Sequence, residues 1–164
     1  MARPIWQRLA ARGAALVVLG LVWCGSAGDG TGAPKKSDAV VKVTARADKP
    51  GADGKQTVTV TFDIDKGWHI YANPVGEELL AGGQTVVNVT SKEKLQDVKV
   101  EYPAGKLVVD KTIGNHNIYE GKVTVKVTVQ RAKGDTGPLE VSAKFQACDK
   151  DQCLQGATVK VPVE

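Results

Sequence analysis

Residues 55–64 read KQTVTVTFDI, with apolar side chains at every second position (Val58, Val60, Phe62 and Ile64) and polar residues between them. Successive side chains of a β-strand point to opposite faces of a sheet. A period of two therefore predicts a strand that buries one face and exposes the other.

The same period recurs along the chain, separated by segments rich in Gly, Pro, Asn and Asp, and no stretch after residue 38 shows a helical stripe. Short alternating runs divided by turn formers are typical of all-β domains. We therefore predict an immunoglobulin-like antiparallel β-sandwich over residues 39–164, with an eight-stranded barrel as the alternative. The other runs are VVKVTARA (40–47), QTVVNVTS (84–91), DVKVEY (97–102), KLVVD (106–110), KVTVKVTVQ (122–130), LEVSAKFQA (139–147) and ATVKVPV (157–163).

The first 27 residues have the layout of a secretory signal peptide: three arginines, an apolar run over residues 14–23, and small residues at the end. The run is too short for a membrane-spanning helix, which needs about 20 residues. Cys24, in LVWCGSAG, is a candidate lipidation residue of a bacterial lipoprotein signal, although Trp23 stands where a small residue is usual; cleavage after Ala27 is the alternative. Residues 28–38, GDGTGAPKKSD, read as a flexible linker.

Export changes how charge and cysteines are interpreted. Without Arg3, Arg8 and Arg12, 19 of the 22 basic residues remain against 18 acidic ones. A net charge near +1 gives no electrostatic reason to expect nucleic acid or an anionic membrane as a partner. We expect a periplasmic or cell-envelope protein that contacts the membrane only if Cys24 carries a lipid. Disulfides persist in such compartments.

Cys148 and Cys153 lie in FQACDKDQCL (145–154), on either side of a polar turn. If the strand before them runs unbroken, its alternation places Cys148 on the outward face, away from Phe145 and Ala147. An accessible cysteine can react, whereas a buried one is usually inert.

Three roles are open for this pair. A structural bond closing so short a loop would stabilise the fold by only about 2 kcal/mol. A metal site would need His69 or His116, and the sequence places neither nearby; a nucleophilic cysteine would need a histidine base. Thiol–disulfide exchange fits an accessible small-loop disulfide in an exported protein better.

Four stretches together suggest a family: GWHIYANPVG (67–76), EYPAGKLVVD (101–110), IYEGKVTVKV (118–127) and FQACDKDQCL (145–154). They resemble the periplasmic N-terminal domain of the DsbD thiol:disulfide interchange proteins, and the similarity extends over residues 40–163. The resemblance implies an immunoglobulin-like sandwich and a redox pair formed by Cys148 and Cys153. We expect no cofactor and no metal ligand.

The resemblance also implies a cap over the disulfide, formed by DKTIGNHNIYEG (110–121). Asp110 matches an acidic residue near the pair, and Tyr119 lies in the supporting strand. Thr112 and Ile113 stand where well-known members carry a shielding aromatic residue. Asp110 is expected to take up or hold protons during exchange.

The implied function is that of a freestanding, exported thiol–disulfide oxidoreductase module. It would pass reducing equivalents between a membrane electron donor on another chain and periplasmic thioredoxin-like or disulfide isomerase-like proteins. Cys148 is the expected attacking residue and Cys153 the resolving one, although the family leaves that order open. The alternatives are a non-catalytic binding or assembly module with a structural disulfide and, more remotely, a periplasmic copper handler.

Overall fold

The computed structural model describes residues 35–164. Within this range the chain forms short 3-10 helices at Ser37–Ala39 and Glu78–Gly83, together with strands that pair antiparallel throughout. The strands are β1 (Val41–Ala47), β2 (Lys55–Ile64), β3 (His69–Tyr71), β4 (Val86–Ser91), β5 (Asp97–Glu101), β6 (Lys106–Val108), β7 (His116–Glu120), β8 (Lys122–Gln130), β9 (Leu139–Phe145), β10 (Ala147–Cys148) and β11 (Ala157–Pro162).

The strands form three sheets, ordered β1-β2-β8-β5, β11-β9-β4 and β10-β3-β7-β6. The first two sheets contact each other through Phe62 of β2 and Phe145 of β9, whose ring centroids lie 5.7 Å apart in an edge-to-face arrangement. This is the predicted immunoglobulin-like antiparallel sandwich.

The alternation in β2 has the predicted consequence. Val58, Val60 and Phe62 are completely buried, whereas Asp63, which lies between Phe62 and Ile64, is exposed. Burial of one such apolar side chain contributes about 1.5–3 kcal/mol. Because β2 lies between β1 and β8, its inward residues occupy the centre of the core.

The third sheet differs from what the sequence predicts. Period two predicts its edge strand β6, but it does not identify β3, β7 or β10. These strands are three, five and two residues long, too short for alternation to stand out from a turn. The expected strand 139–147 is in fact divided at Gln146: β9 stays in the second sheet, and β10 pairs with β3 in the third.

The N-terminal segment enters the sandwich beside the cysteine hairpin. Lys36 bridges Gln155, and the completely buried Ser37 hydroxyl donates to Gln155 O and accepts from Ala147 N–H, both at 2.9 Å. The composition of residues 36–38 predicts that they belong to the linker. They instead pack on the sandwich, so the folded region begins before the expected boundary at residue 39. The predicted signal peptide, Cys24 and most of the predicted linker lie outside the described residues. No helix within 35–164 has the length and apolar character to cross a bilayer.

Candidate functional site

Cys148 and Cys153 form a disulfide at the tip of a hairpin. The hairpin closes with two backbone hydrogen bonds, from Leu154 N–H to Ala147 O and from Asp149 N–H to Gln152 O, both 2.9 Å. The Asp149 carboxylate also accepts from the N–H groups of residues 151 and 152 at 2.8 Å, and these bonds lower its pKa. The turn that presents the disulfide is therefore held by its own polar residues.

The two sulfur-bearing residues differ sharply in exposure. Cys148 is 2% exposed and packs in a small apolar cluster with Tyr71, Val75 and Ile118, whereas Cys153 is exposed. Cys148 does face away from Ala147 and the main core, as alternation predicts, but the expectation that this makes it accessible is wrong. This apolar cluster covers Cys148 on the outer face of the third sheet, so Cys153 is the accessible cysteine of the pair.

Tyr71 of β3 lies beside both sulfurs. Its hydroxyl is 3.6 Å from Cys148 Sγ and 3.8 Å from Cys153 Sγ. Burial raises the pKa of Tyr71, so the phenol stays protonated at neutral pH and can act as a donor to sulfur. The buried Thr85 holds the backbone in place, because its hydroxyl and its N–H both donate to Tyr71 O, at 2.6 and 3.0 Å.

One row of the third sheet sets His69 next to the disulfide. Cys148 pairs with His69, and His69 pairs on its other side with Glu120. Residues directly opposite in an antiparallel pair share a face, so these three side chains lie side by side on the outer face. Burial lowers the pKa of His69, partly opposed by the charge of Glu120, which in turn pairs with Lys106 at 2.8 Å.

His116 of β7 flanks Tyr71 from the other side. Its ring centroid lies 5.9 Å from that of Tyr71, and the His69 centroid lies 6.2 Å from it. His116 is buried, and its Nδ1 is 2.9 Å from Gly114 O. A carbonyl oxygen only accepts, so Nδ1 carries the hydrogen. Both histidines thus lie close to the disulfide, which the sequence could not reveal.

The expected cap residues form a turn directly after β6. Asp110 Oδ1 accepts from Thr112 N–H at 2.7 Å and from Ile113 N–H at 3.0 Å, and these bonds lower the pKa of Asp110. A carboxyl whose pKa is lowered stays ionised at neutral pH, which argues against the expected proton-holding role and for a role in shaping the turn. Thr112 and Ile113 are exposed.

Replacement of Asp110 by alanine is expected to loosen this turn without loosening the disulfide hairpin. Loss of the two capping bonds should speed amide hydrogen exchange at Thr112 and Ile113 roughly fivefold. In the wild type, the pKa of Asp110 is lower in the folded state than in the unfolded state. Its carboxylate therefore stabilises the turn fully above the unfolded pKa of about 4, and this stabilisation is lost as pH falls through the lower folded pKa. NMR of the Thr112 and Ile113 amide resonances in the wild type and in Asp110→Ala, from pH 6 downward, measures the exchange rates and their pH dependence.

The hairpin residues Asp151 and Gln152 provide the control, because Asp149 holds their amides in the same way. Their exchange should keep its wild-type rate in Asp110→Ala. Unchanged protection at Thr112 and Ile113 would show that the turn does not depend on the carboxylate.

Tyr119, expected to support the cap, lies on the opposite face of the third sheet. It pairs with Ile70, is 3% exposed and belongs to the main core. Its hydroxyl donates to Pro103 O at 2.8 Å and accepts from Asn73 N–H at 3.3 Å. The structure therefore places Tyr119 under the site rather than at the disulfide.

The segment of residues 77–83 lies against Tyr71 on the outer side of the sheet. A Cβ on Gly83 would lie 2.9 Å from the Tyr71 ring and 2.7 Å from Gln146 Oε1, so only glycine allows this close approach. Leu80 of the segment packs on the apolar cluster that contains Cys148. The Glu77 carboxylate lies against Gly114. This segment and the turn after β6 therefore touch each other at the edge of the site.

Sequence reasoning identified the cysteines but missed the residues around them. Tyr71 and His69 lie in GWHIYANPVG, where residues 69 and 71 alternate with the buried Ile70, a signal too short to separate from a turn. No group of three or more His, Cys, Asp or Glu side chains able to hold a metal occurs within residues 35–164.

Fold and site together define a class: an immunoglobulin-like β-sandwich whose third sheet carries a disulfide between one buried and one exposed cysteine. Residues 36–164 match the family described as Thiol:disulfide interchange protein DsbD, N-terminal, and the chain belongs to this family. No curated protein matches it in sequence.

Solved structures show the same fold. The N-terminal periplasmic domain of ScsB from Proteus mirabilis has a TM-score of 0.55 and 20% identity, over 74% of this chain and 45% of that one. A chain from the complex between the DsbD N-terminal and PilB N-terminal domains of Neisseria meningitidis has a TM-score of 0.50 and 16% identity, over 73% and 80%. At these identities the likeness concerns the fold.

Proposed function

We propose that this protein is an exported thiol–disulfide oxidoreductase module that exchanges its Cys148–Cys153 disulfide with thiols of partner proteins. The observation that carries the proposal is the unequal burial of the pair: Cys153 is exposed, whereas Cys148 is buried, with its sulfur 3.6 Å from the Tyr71 hydroxyl. Membership of the family supports it.

The geometry favours Cys153 as the residue that meets the partner. An incoming thiolate attacks Cys153 Sγ, a mixed disulfide forms, and Cys148 leaves as a thiolate. The Tyr71 hydroxyl, 3.6 Å away, donates a hydrogen bond to that buried sulfur and stabilises its charge. In the opposite direction Cys153 attacks a client disulfide and Cys148 resolves the product. This order reverses the one expected from the sequence.

The partners in this proposal are periplasmic thioredoxin-like or disulfide isomerase-like proteins, with a membrane electron donor on another chain. The solved complex of a DsbD N-terminal domain with a PilB N-terminal domain supports a protein partner, and the periplasmic origin of the ScsB domain supports the location. Residues 1–27 would direct export, and Cys24 would either anchor the protein through a lipid or leave with the leader.

The reduction potential of the pair tests the proposal. Full chain carrying Cys24→Ser is equilibrated in dithiothreitol and glutathione buffers, and the oxidised fraction is read by thiol alkylation and intact mass. We expect a potential less negative than about −300 mV, within reach of thiol partners. A more negative value would favour the alternative of a binding or assembly module with a structural disulfide.

A further inference from the structure

We propose that His69 takes the proton from the Cys148 thiol when Cys148 attacks the mixed disulfide on Cys153. The inference rests on the proposed function and assigns a residue to the proton transfer from Cys148. It starts from the sheet register, in which Cys148 and His69 are direct antiparallel partners with side chains on the same face.

Burial creates the need for such a group. Cys148 attacks only as a thiolate, but at 2% exposure its thiol has almost no contact with water that could accept the proton. Its polar neighbour Tyr71 cannot serve, because a protonated phenol with a raised pKa donates hydrogen bonds and is a very weak base. The proton must pass to another side chain on the same face.

The opposed Cβ atoms of a cross-strand pair lie about 4.5–5.5 Å apart, so the imidazole of His69 and the free thiol of Cys148 are within reach of each other or of one bridging water. His69 is half-buried, so it can pass the proton on to solvent. The ring of His69 also packs at the edge of Tyr71, whose hydroxyl contacts the same sulfur.

The other titratable groups around His69 are less suited to the task. Glu120, its partner on β7, is held by Lys106 of β6 at 2.8 Å. Asp149, next to Cys148, has its carboxylate engaged by two backbone N–H groups of the hairpin. His116 lies on β7 beyond Ile118, farther along the sheet than the row that joins Cys148 to His69.

The protonation state of His69 agrees with the role of a base. Burial lowers its pKa below 6.5, with His116 and Lys106 acting in the same direction and Glu120 and Asp149 opposing them. The imidazole is therefore neutral at pH 7 and has a free lone pair.

The step balances without a further reactant. Cys148–SH gives its proton to neutral His69, the Cys148 thiolate attacks Cys153 Sγ, and the Cys148–Cys153 bond forms as the bond between Cys153 and the partner sulfur breaks. The partner leaves as a thiolate with the electron pair of that bond, and His69 releases its proton to solvent.

Stopped-flow oxidation of the reduced chain by 5,5′-dithiobis(2-nitrobenzoate) separates the two sulfur steps. In a Cys24→Ser background, attack by Cys153 releases the first thionitrobenzoate in a bimolecular phase, and attack by Cys148 releases the second in a unimolecular phase. His69→Gln should slow the second phase about 100-fold, the low end of general-base effects, and leave the first within about twofold.

Two neighbours of His69 shift the pH profile of the second phase in opposite directions. Glu120 raises the pKa of His69 and Lys106 lowers it. Glu120→Gln should therefore move the inflection to lower pH and Lys106→Gln to higher pH. Because both charges also act on the nearby Cys148 thiol, both shifts should disappear in a His69→Gln background if His69 is the titrating base. Both side chains are substantially exposed, so these variants should fold even if His69→Gln does not.

A wild-type second phase in His69→Gln, or neighbour variants that leave the inflection in place, would overturn the inference. Either result, with normal two-step release in the wild type, would leave the proposed function intact. A wild-type pair that cannot be reduced by thiols would instead remove the proposed function itself.

Discussion

A chain in which Cys148 is replaced by serine is expected to hold an oxidant as a stable mixed disulfide on Cys153, whereas a Cys153→Ser chain is expected to hold almost none. Cys153 is exposed and open to attack, while Cys148 is 2% exposed. Without Cys148 nothing inside the protein resolves the bond formed on Cys153. Without Cys153, the remaining thiol, that of Cys148, is buried next to the Tyr71 hydroxyl.

Oxidised glutathione is a suitable probe because it is small and needs no specific docking surface. Each reduced variant, in the Cys24→Ser background, is incubated with it, quenched with acid, and measured by intact mass spectrometry over time. We expect adduct formation at least about 100-fold faster in Cys148→Ser than in Cys153→Ser, since reactivity follows thiolate accessibility.

A chain with both Cys148→Ser and Cys153→Ser gives the background level of glutathione adduct. Comparable adduct rates in the two single variants would show that the burial of Cys148 does not control exchange. A faster rate in Cys153→Ser would restore the order first expected from the sequence, with Cys148 as the attacking residue.

The sequence predicts the sandwich well because its principal strands are long enough to show a period. KVTVKVTVQ in β8 alternates over nine residues, and its inward Val125, Val127 and Val129 are completely buried. Apart from β6, the strands of the third sheet could not be predicted, for the opposite reason. His69–Tyr71 and His116–Glu120 are short and carry polar side chains, so their local composition resembles that of a turn.

The site follows from the sequence only in part. The cysteine pair is visible from spacing and resemblance, but its surroundings depend on cross-strand register between residues far apart in the chain. Tyr71 precedes Cys148 by 77 positions, yet its hydroxyl lies 3.6 Å from that sulfur. Similarly, the break at Gln146 moves Cys148 into another sheet, where a second apolar layer covers it.

Arg131 illustrates a further limit of the sequence. It opens RAKGDTGP, whose composition is typical of a solvated turn, but in the structure its side chain is only 2% exposed. The guanidinium binds the Asp135 carboxylate at 3.1 and 3.2 Å, the Gln56 side chain at 2.9 Å and the Gly137 carbonyl. These bonds connect the segment after β8 to β2, a structural role that the residues around Arg131 in the sequence do not indicate.

Arg131→Ala is expected to reduce the free energy of unfolding by about 3 kcal/mol, because removal of one member of a buried ion pair leaves its partners without compensation. The buried Gln56 and the partly buried Asp135 would lose their charged donor together. Urea unfolding followed by circular dichroism measures the change. Arg46→Ala is the matched control: its arginine also pairs with a carboxylate, Glu164, but at 3.8 Å and with 81% side-chain exposure. Exposed pairs contribute about 0–1 kcal/mol, so a similar small loss in both variants would mean that the buried network does not stabilise the fold.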